Sequence, residues 1–265
     1  MEDIKSKTIK ELKQYCRDNK IKGFSNKKKL ELIDLINKNK EDNKVKYKED
    51  NKNNSLKPII KWSGGKKDEL DKINEYIPSD YDTYLEPFVG GGALFFDLNP
   101  NKAVITDVHS ELIDFYKAIK NEKSNNIYEF MKETPNNEEI YYKIRDDMII
   151  NDYLDNAKRF FYLRKTCFRG MLRYNKKGKF NIPFGRYKTY NYEILKNKEY
   201  ENLLKKTKIE CKDFSWIFEN YNQSTNFMFL DPPYDSEFTD YGYCSFGKEE
   251  QKKLAKCFKE TSIKC

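Results

Sequence analysis

The chain has 265 residues, 38% of them hydrophobic and 35% charged, which is room for one large domain and a small one. It contains no run of 18 apolar residues, its charged N-terminus "MEDIKSKTIKEL" is not a signal peptide, and an intracellular, unsecreted protein is expected. The net charge is +8, of which residues 1–56 supply +6 (16 Lys and Arg against 10 Asp and Glu), so a polyanion partner is expected there. The same richness in Lys, Asn, Ile and Tyr is also what AT-rich coding DNA alone produces. Six cysteines (Cys16, Cys167, Cys211, Cys244, Cys257, Cys265) include no C-x-x-C pair, which argues against a disulfide framework or a zinc site and fits a reducing compartment. His109 is the one histidine, so chemistry built on a histidine base or a histidine-ligated metal is disfavoured, and no metal is expected.

Residues 1–37 form the small unit. In "KTIKELKQYCRDN", Ile9, Leu12 and Tyr15 or Cys16 share one helical face. In "NKKKLELIDLINK", Leu30, Ile33 and Leu35 or Ile36 share another. Between them Gly23 offers a C-terminal stop, and Ser25 or Asn26 a cap for the second helix. Two short helices joined by a glycine turn, with Lys27, Lys28 and Lys29 at the start of the second, resemble a SAP-like DNA-binding helical module. Residues 38–56 hold almost no large apolar groups and read as a flexible linker.

From residue 57 the texture changes. "KPIIKW" predicts a strand or an extended entry, and "KKDELDKINEYI" a helix. "TYLEPF" predicts a strand running into Gly90, Gly91 and Gly92, and "GALFFDL" a helix. "KAVITD" is a second strand, followed by "SELIDFYKAI", a helix capped by Ser110. This alternation over 57–120 predicts an α/β domain with a largely parallel sheet. Residues 121–206 read as a helical insertion around a Gly- and Arg-rich loop. Over 207–265, "KIEC" and "NFMFLD" restore strands and "GKEEQKKLAKCFKET" predicts a last helix.

The strand–glycine–helix passage "YLEPFVGGG" suits a cofactor that approaches the backbone at a helix N-terminus. Position 95 of a G-x-G-x-x-G pattern is Phe95, and position 60 of a P-loop is Ile60, so dinucleotide and nucleoside-triphosphate readings fail. What remains is a nucleoside cofactor without a pyrophosphate. Asp107 ends the next strand, 17 residues after Gly90, where an acid accepts ribose hydroxyls; a cap for the following helix is the other reading. In "NFMFLDPPY", Phe227–Leu230 read as a buried strand stopped by two prolines, which present Asp231 and Tyr234 at its lip. An acid and a ring there suit a nucleobase, the amine facing the carboxylate and the Pro232 carbonyl and the π-face lying on Tyr234.

"KWSGGK", "EPFVGGG", "RYNKKGKFNIPFGRY" and "DPPY", in that order over residues 57–257, resemble the Dam-like, DPPY-containing class of DNA adenine methyltransferases. The resemblance implies a Rossmann-like methyltransferase sheet with one antiparallel strand, a helical target-recognition insertion, and S-adenosylmethionine as methyl donor. It implies cofactor contacts from Trp62, Lys66, Asp107 and Asp231, with Glu86, Phe88, Gly90 and Gly92 completing that set. It implies that Asp231, Pro232, Pro233 and Tyr234 hold an adenine flipped out of double-stranded DNA, localise the lone pair of its amine, and so prepare direct methyl transfer without a covalent intermediate.

The insertion supplies the DNA-reading candidates Phe168, Arg169, Met171, Arg173, Lys176, Lys177 and Arg186, with Lys61 facing a phosphate. Where GATC-specific members carry Tyr-Asn, this chain has Phe168-Arg169, which puts GATC specificity in doubt. The family also continues past the last helix with a strand bearing Ser-Asn and an antiparallel pair, whereas this sequence ends 34 residues after Asp231 and reads as truncated. An alternative reading is therefore a methyltransferase-fold protein that binds DNA without turnover. Cytosine, RNA or glutamine methylation is disfavoured by Asp at position 231 together with the basic insertion.

Overall fold

The computed structural model describes residues 4–39, 42, 55–233 and 246–265. The chain divides into two compact units, Met1–Asn54 and Ser55–Cys265. The linker expected over 38–56 falls largely outside the described residues.

In the first unit, helix α1 (Ile9–Asp18) opens on a reciprocal cap. The Thr8 hydroxyl accepts from Glu11 N at 3.3 Å, and the Glu11 carboxylate accepts from Thr8 N at 2.7 Å. Helix α2 (29–39) starts one residue after Lys28, whose N–H donates to the Glu31 carboxylate at 2.7 Å. The cap is thus supplied from inside the helix, and neither Ser25 nor Asn26 is needed. Asn19 closes α1, while Gly23, the expected stop, lies further on at φ 78° in the connection. Leu12, Cys16, Ile21, Leu32, Ile33 and Ile36 form the core. Ile9 and Leu30, expected inside, are 45% and 75% exposed; each stands in the first turn of its helix.

The second unit is a mixed α/β, Rossmann-like fold. Strands β1 (Tyr84–Glu86), β2 (Ala103–Asp107), β3 (Thr207–Cys211) and β4 (Phe227–Met228) form one sheet in the order β3-β2-β1-β4. Every ladder between these four strands is parallel, so the antiparallel strand implied by the family resemblance does not occur among the described residues. Each strand is reached by a crossover that returns the chain to the same end of the sheet, which makes parallel pairing the available one. Strand β4 is shorter than "NFMFLD" suggests. Phe229 N still donates to Leu85 O at 2.9 Å, but the residues beyond it turn into two prolines that have no N–H to offer. On the outer side of β4, Lys264 pairs with Phe227 in a parallel bridge.

The predicted helix over "KKDELDKINEYI" contracts to a 3-10 turn (Lys67–Glu69) and one turn of helix, α3 (Leu70–Ile73). None of these residues is buried, so no packing supports a longer helix. Helix α4 (Ala93–Leu98) follows the glycines, and α5 (Ser110–Lys120) follows β2. Its cap is His109 and not Ser110: the imidazole Nδ1 accepts from Leu112 N at 3.1 Å. The insertion contains α6 (Ser124–Glu133), α7 (Glu138–Tyr142), α8 (Tyr153–Thr166) and α9 (Lys198–Lys205). Between α8 and α9 a loop folds back on itself through antiparallel bridges Cys167–Phe184 and Tyr174–Phe180. Helices α10 (Ser215–Asn220) and α11 (Lys248–Glu260) cover the β4 side of the sheet, where Leu85, Met228, Phe214, Ile217 and Leu254 share a core.

The entry segment "KPIIKW" is extended but forms no ladder. Its alternate carbonyls face the insertion and are taken by side chains: Lys57 O by the Tyr200 hydroxyl at 2.8 Å, Ile59 O by Lys165 Nζ at 3.0 Å, and Lys61 O by Arg164 Nη2. Arg164, only 4% exposed, also donates from Nη1 to Met171 O at 2.6 Å. One guanidinium thus ties the entry segment to the loop after α8. Lysine keeps the charge but cannot hold two carbonyls in a fixed fork. Arg164→Lys is therefore expected to destabilise the protein by about 1–3 kcal/mol in urea unfolding; a change within experimental error would show that the two carbonyls are satisfied without the fork.

Candidate active site

The C-terminal ends of β1, β2 and β4 open on one pocket. Trp62, Lys66, Glu86, Phe88, Gly90, Gly92, Asp107 and Asp231, scattered over 170 residues of sequence, all line it, together with Pro232 and Pro233. Tyr234 lies outside the described residues.

The glycine turn is held from both sides. Gly90 N donates to Asp107 Oδ2 at 3.0 Å, and Gly90 O accepts from the Tyr116 hydroxyl at 2.8 Å. Gly90 and Gly92 have φ of 45° and 64°, a region that other residues enter at a cost. A Cβ on Gly90 would stand 2.7 Å from the Trp62 ring, and one on Gly91 2.9 Å from Trp62 Cβ. The first two glycines thus make room for the indole, where the sequence suggested room for a cofactor.

Asp107 fastens two stretches of backbone and also faces the pocket. Oδ1 accepts from His109 N at 2.9 Å while Oδ2 holds Gly90, and the side chain lines the pocket. Burial raises its pKa to about 6, against the lowering effect of the His109, Gly90 and Val108 N–H groups. Glu86, 3% exposed, accepts from the Tyr84 hydroxyl at 2.7 Å. Burial raises its pKa to about 8; the Tyr84 hydroxyl opposes this, and the nearby charges of Asp231 and Asp107 add to it. Glu86 therefore holds its proton at neutral pH.

Asp231 Oδ1 pairs with Lys66 Nζ at 2.9 Å, and Lys66 also donates to Gly64 O at 2.9 Å. The loop after Trp62 is in this way fastened to the end of β4. The Pro233 carbonyl accepts from Gln251 Nε2 at 2.8 Å, which anchors the proline turn to α11. The Pro232 carbonyl, in contrast, accepts from no group among the described residues.

The DNA-reading candidates do not line this pocket. Phe168, Arg169, Met171, Arg173, Lys176, Lys177 and Arg186 stand on the folded-back loop, with Phe168 and Met171 47% and 44% exposed. Arg173 is braced by Asn181, its Nε donating to Oδ1 at 2.9 Å. Arg186 reaches Glu138 at 3.4 Å. Lys61 Nζ donates to Arg169 O at 3.3 Å, so its ammonium steadies the loop.

Sequence reasoning missed several residues. Asp213 and Phe214 line the pocket from the loop after β3, with the Phe88 and Phe214 rings stacked at 5.4 Å. "KDFSW" carries no spacing signal that would have marked them. Arg164 lies over the Trp62 ring at 5.6 Å, and His109 meets that ring edge-on at 5.5 Å. Burial and the Arg164 charge push the His109 pKa down to about 3, which leaves the imidazole neutral.

The Glu86 shift has a consequence for stability. An acid whose pKa is raised by folding stabilises the fold most below its unfolded value and loses that contribution as pH rises through the folded value, here between about 4.5 and about 8. Glu86→Gln keeps a hydrogen-bonding group but cannot ionise. The variant is expected to gain on the wild type in thermal midpoint as pH is raised from 5 to 8.5; parallel midpoint curves would show that Glu86 does not titrate in this window.

Comparison with known proteins adds the chemistry. Residues 62–265 match the family described as D12 class N6 adenine-specific DNA methyltransferase. Residues 3–44 match the N-terminal domain of Rho termination factor, a different domain from the SAP-like module that the sequence resembles. The chain is 60% identical over 213 residues to the type II methyltransferase M.CviBI of Paramecium bursaria Chlorella virus NC1A, covering 79% of this chain and 81% of that protein. It is 37% identical to the type II methyltransferase M.MjaIII of Methanocaldococcus jannaschii, over 77% of this chain and 80% of that one. It is 31% identical to a DNA adenine methylase of Haemophilus influenzae, over 75% and 73%. A pocket at the strand ends, the four motifs in order and this likeness agree: the chain belongs to the D12 class of N6 adenine-specific DNA methyltransferases.

Proposed function

We propose that this enzyme transfers a methyl group from S-adenosylmethionine to N6 of an adenine flipped out of duplex DNA, with Asp231 and the Pro232 carbonyl as the two acceptors for the amine. The observation that carries the residue roles is that Asp231 stands next to a carbonyl with no partner among the described residues, in a pocket also lined by Lys66, Glu86, Asp107 and the glycines Gly90, Gly91 and Gly92. The donor set suits the cofactor. Carboxyl groups are available for an ammonium and for ribose hydroxyls, and Phe88 and Phe214 give an apolar wall for a purine. When bound, S-adenosylmethionine supplies an electrophilic methyl on a sulfonium.

The rest is done by this chain. The lone pair of an exocyclic amine is delocalised into the ring, and two acceptors on its protons draw it back to nitrogen. Lys66 fixes the orientation of the Asp231 carboxylate, and Gln251 fixes the turn that carries Pro232 and Pro233. The proton that the methylated amine must shed leaves through the Asp231 and Pro232 acceptors to solvent, so no histidine or thiol base is needed, and positioning and preorganised acceptors carry the step. Trp62, Gly90, Gly92 and Asp107 act in this reading as the cofactor side of the pocket. Phe168, Arg169, Met171, Arg173, Lys176, Lys177 and Arg186 act as the DNA side, and Lys61 holds the latter in place.

The test is transfer of labelled methyl from S-adenosylmethionine to mixed-sequence duplex DNA, followed by digestion to find the modified base. Wild type is expected to yield N6-methyladenine, and Asp231→Ala to lose about 100-fold or more in kcat. Methylation of another base, or an unimpaired Asp231→Ala, would refute the assignment.

We also propose that the first unit binds DNA electrostatically through Lys27, Lys28 and Lys29 at the start of α2. Removing residues 1–54 is expected to weaken binding to mixed-sequence duplex and to flatten the slope of log affinity against log salt, by about 0.9 for each phosphate that is no longer neutralised. Equal slopes for the two proteins would remove this role.

A further inference from the structure

The chain's one histidine takes no part in the chemistry above, yet it is 3% exposed and bonded at both ring nitrogens. Nδ1 accepts from Leu112 N at 3.1 Å, and Nε2 lies 2.8 Å from the Tyr174 hydroxyl. A neutral ring that accepts at Nδ1 carries its hydrogen on Nε2. Nε2–H therefore donates to the Tyr174 oxygen, and the Tyr174 hydroxyl donates in turn to Glu111 Oε2. The other oxygen of Glu111 accepts from Arg159 Nη1 at 2.6 Å. Every donor meets an acceptor, and only one ordering of the hydrogens satisfies them all.

The two ends of this chain matter. Tyr174 is the root of the tight turn Asn175–Gly178, whose tip presents Lys176 and Lys177; Asn175 Oδ1 accepts from Lys177 N and Lys179 N at 2.9 and 3.1 Å. His109 N, at the other end, donates to the Asp107 carboxylate that holds Gly90 of the pocket. Hydrogen bonds, continued through the backbone of Tyr174 and His109, thus join the lysine tip to the glycine turn. Partly buried, satisfied networks of this kind favour one arrangement of the elements they join, because displacement leaves polar groups without partners.

We propose that His109 and Tyr174 are positioning residues which link the reading loop to the cofactor pocket, so that duplex DNA on the loop and cofactor in the pocket strengthen each other's binding. This rests on the DNA and cofactor reading given above. Linkage is reciprocal, so it can be measured from either side, and couplings of this kind run from about 5-fold to about 150-fold.

The experiment is calorimetric titration of the intact protein with S-adenosylhomocysteine, with and without a saturating mixed-sequence 20-base-pair duplex. Wild type is expected to bind the nucleoside several-fold more tightly when DNA is present. Tyr174→Phe keeps the ring against Phe180 and removes only the hydroxyl; it is expected to bind the nucleoside alone as wild type does, within about threefold, and to lose most of the enhancement. His109→Asn retains an acceptor for Leu112 N but withdraws the donor from Tyr174, and is expected to show the same loss. The double variant should lose no more than either single one, as members of one linkage do. Additive losses, or an undiminished enhancement in both variants, would overturn the linkage while leaving the methyltransferase reading intact. Wild type that binds the nucleoside and DNA with no mutual enhancement would do the same. Failure of wild type to bind either would overturn both.

Discussion

The Asp107 carboxylate is the constraint from which the rest of the site follows. It stands at the end of β2, where two chain segments must be brought to the same place: the glycine turn after β1 and the first turn of α5. One oxygen takes Gly90 N and the other takes His109 N. A carboxylate buried without N–H groups to face it would be strongly disfavoured, and burial still outweighs those groups in its raised pKa of about 6. With Tyr116 holding the Gly90 carbonyl, both peptide groups of the turn are pinned before any ligand arrives. An amide side chain at position 107 offers one acceptor oxygen and could not fasten both segments.

Trp62 is the second organising element, and it depends on the first. The indole can lie across the turn only because Gly90 and Gly91 have no Cβ there. Its position is then set by Arg164 of the insertion over one face and by His109, whose ring meets it edge-on and bonds to Tyr174 of the insertion. The entry segment is thereby an external strap. Its carbonyls are satisfied by Tyr200, Lys165 and Arg164, all from the insertion, and it delivers Trp62 and Lys66 to the pocket. Burial and the neighbouring Arg164 charge lower the Lys165 pKa to about 8.

Much of this was legible in the sequence because motifs and alternation report strand ends. "YLEPFVGGG", "KAVITD" and "DPPY" each mark a strand terminus, and strand termini of a parallel sheet converge. Helices α5 and α11 were legible for the same kind of reason, their apolar period being long enough to count. Short elements were not. α3 has a helical pattern over "KKDELDKINEYI" but no fully buried residue in its one turn, and β4 stops two residues into an apolar run that ends on prolines. The His109 cap was hidden behind Ser110, a better capper by residue type, since only the fold shows that Asp107 already engages the backbone there. Arg164 and Lys165 carry no local pattern that says which distant carbonyls they will hold, 103 and 106 residues away. The first unit holds two short helices, but the family that matches it is the N-terminal domain of Rho termination factor and the SAP-like likeness is not shown, since two short basic helices leave few positions by which to tell such modules apart.

Backbone strain marks the folded-back loop for which the DNA-reading role is proposed. Arg169 and Arg186 both sit at φ 55°, in the left-handed region, which a residue with a Cβ enters at a cost of about 1–2 kcal/mol. Such conformations persist only where the surroundings over-determine them. Around Arg169 they do: Lys61 holds its carbonyl, Phe168 N donates to Pro183 O at 2.8 Å, and Arg164 holds Met171 O two residues on. Beside Arg186, Gly185 runs so close to the end of α8 that a Cβ would meet the Thr166 and Cys167 carbonyls at 2.8 Å. Both guanidinium groups therefore project from corners that are fixed by buried contacts, and neither is used to fill the core. Cations needed only for solubility gain nothing from strained, braced backbone. Cations that must reach defined points on a polyanion do, because the strain is met once in folding and the geometry is then available at every encounter.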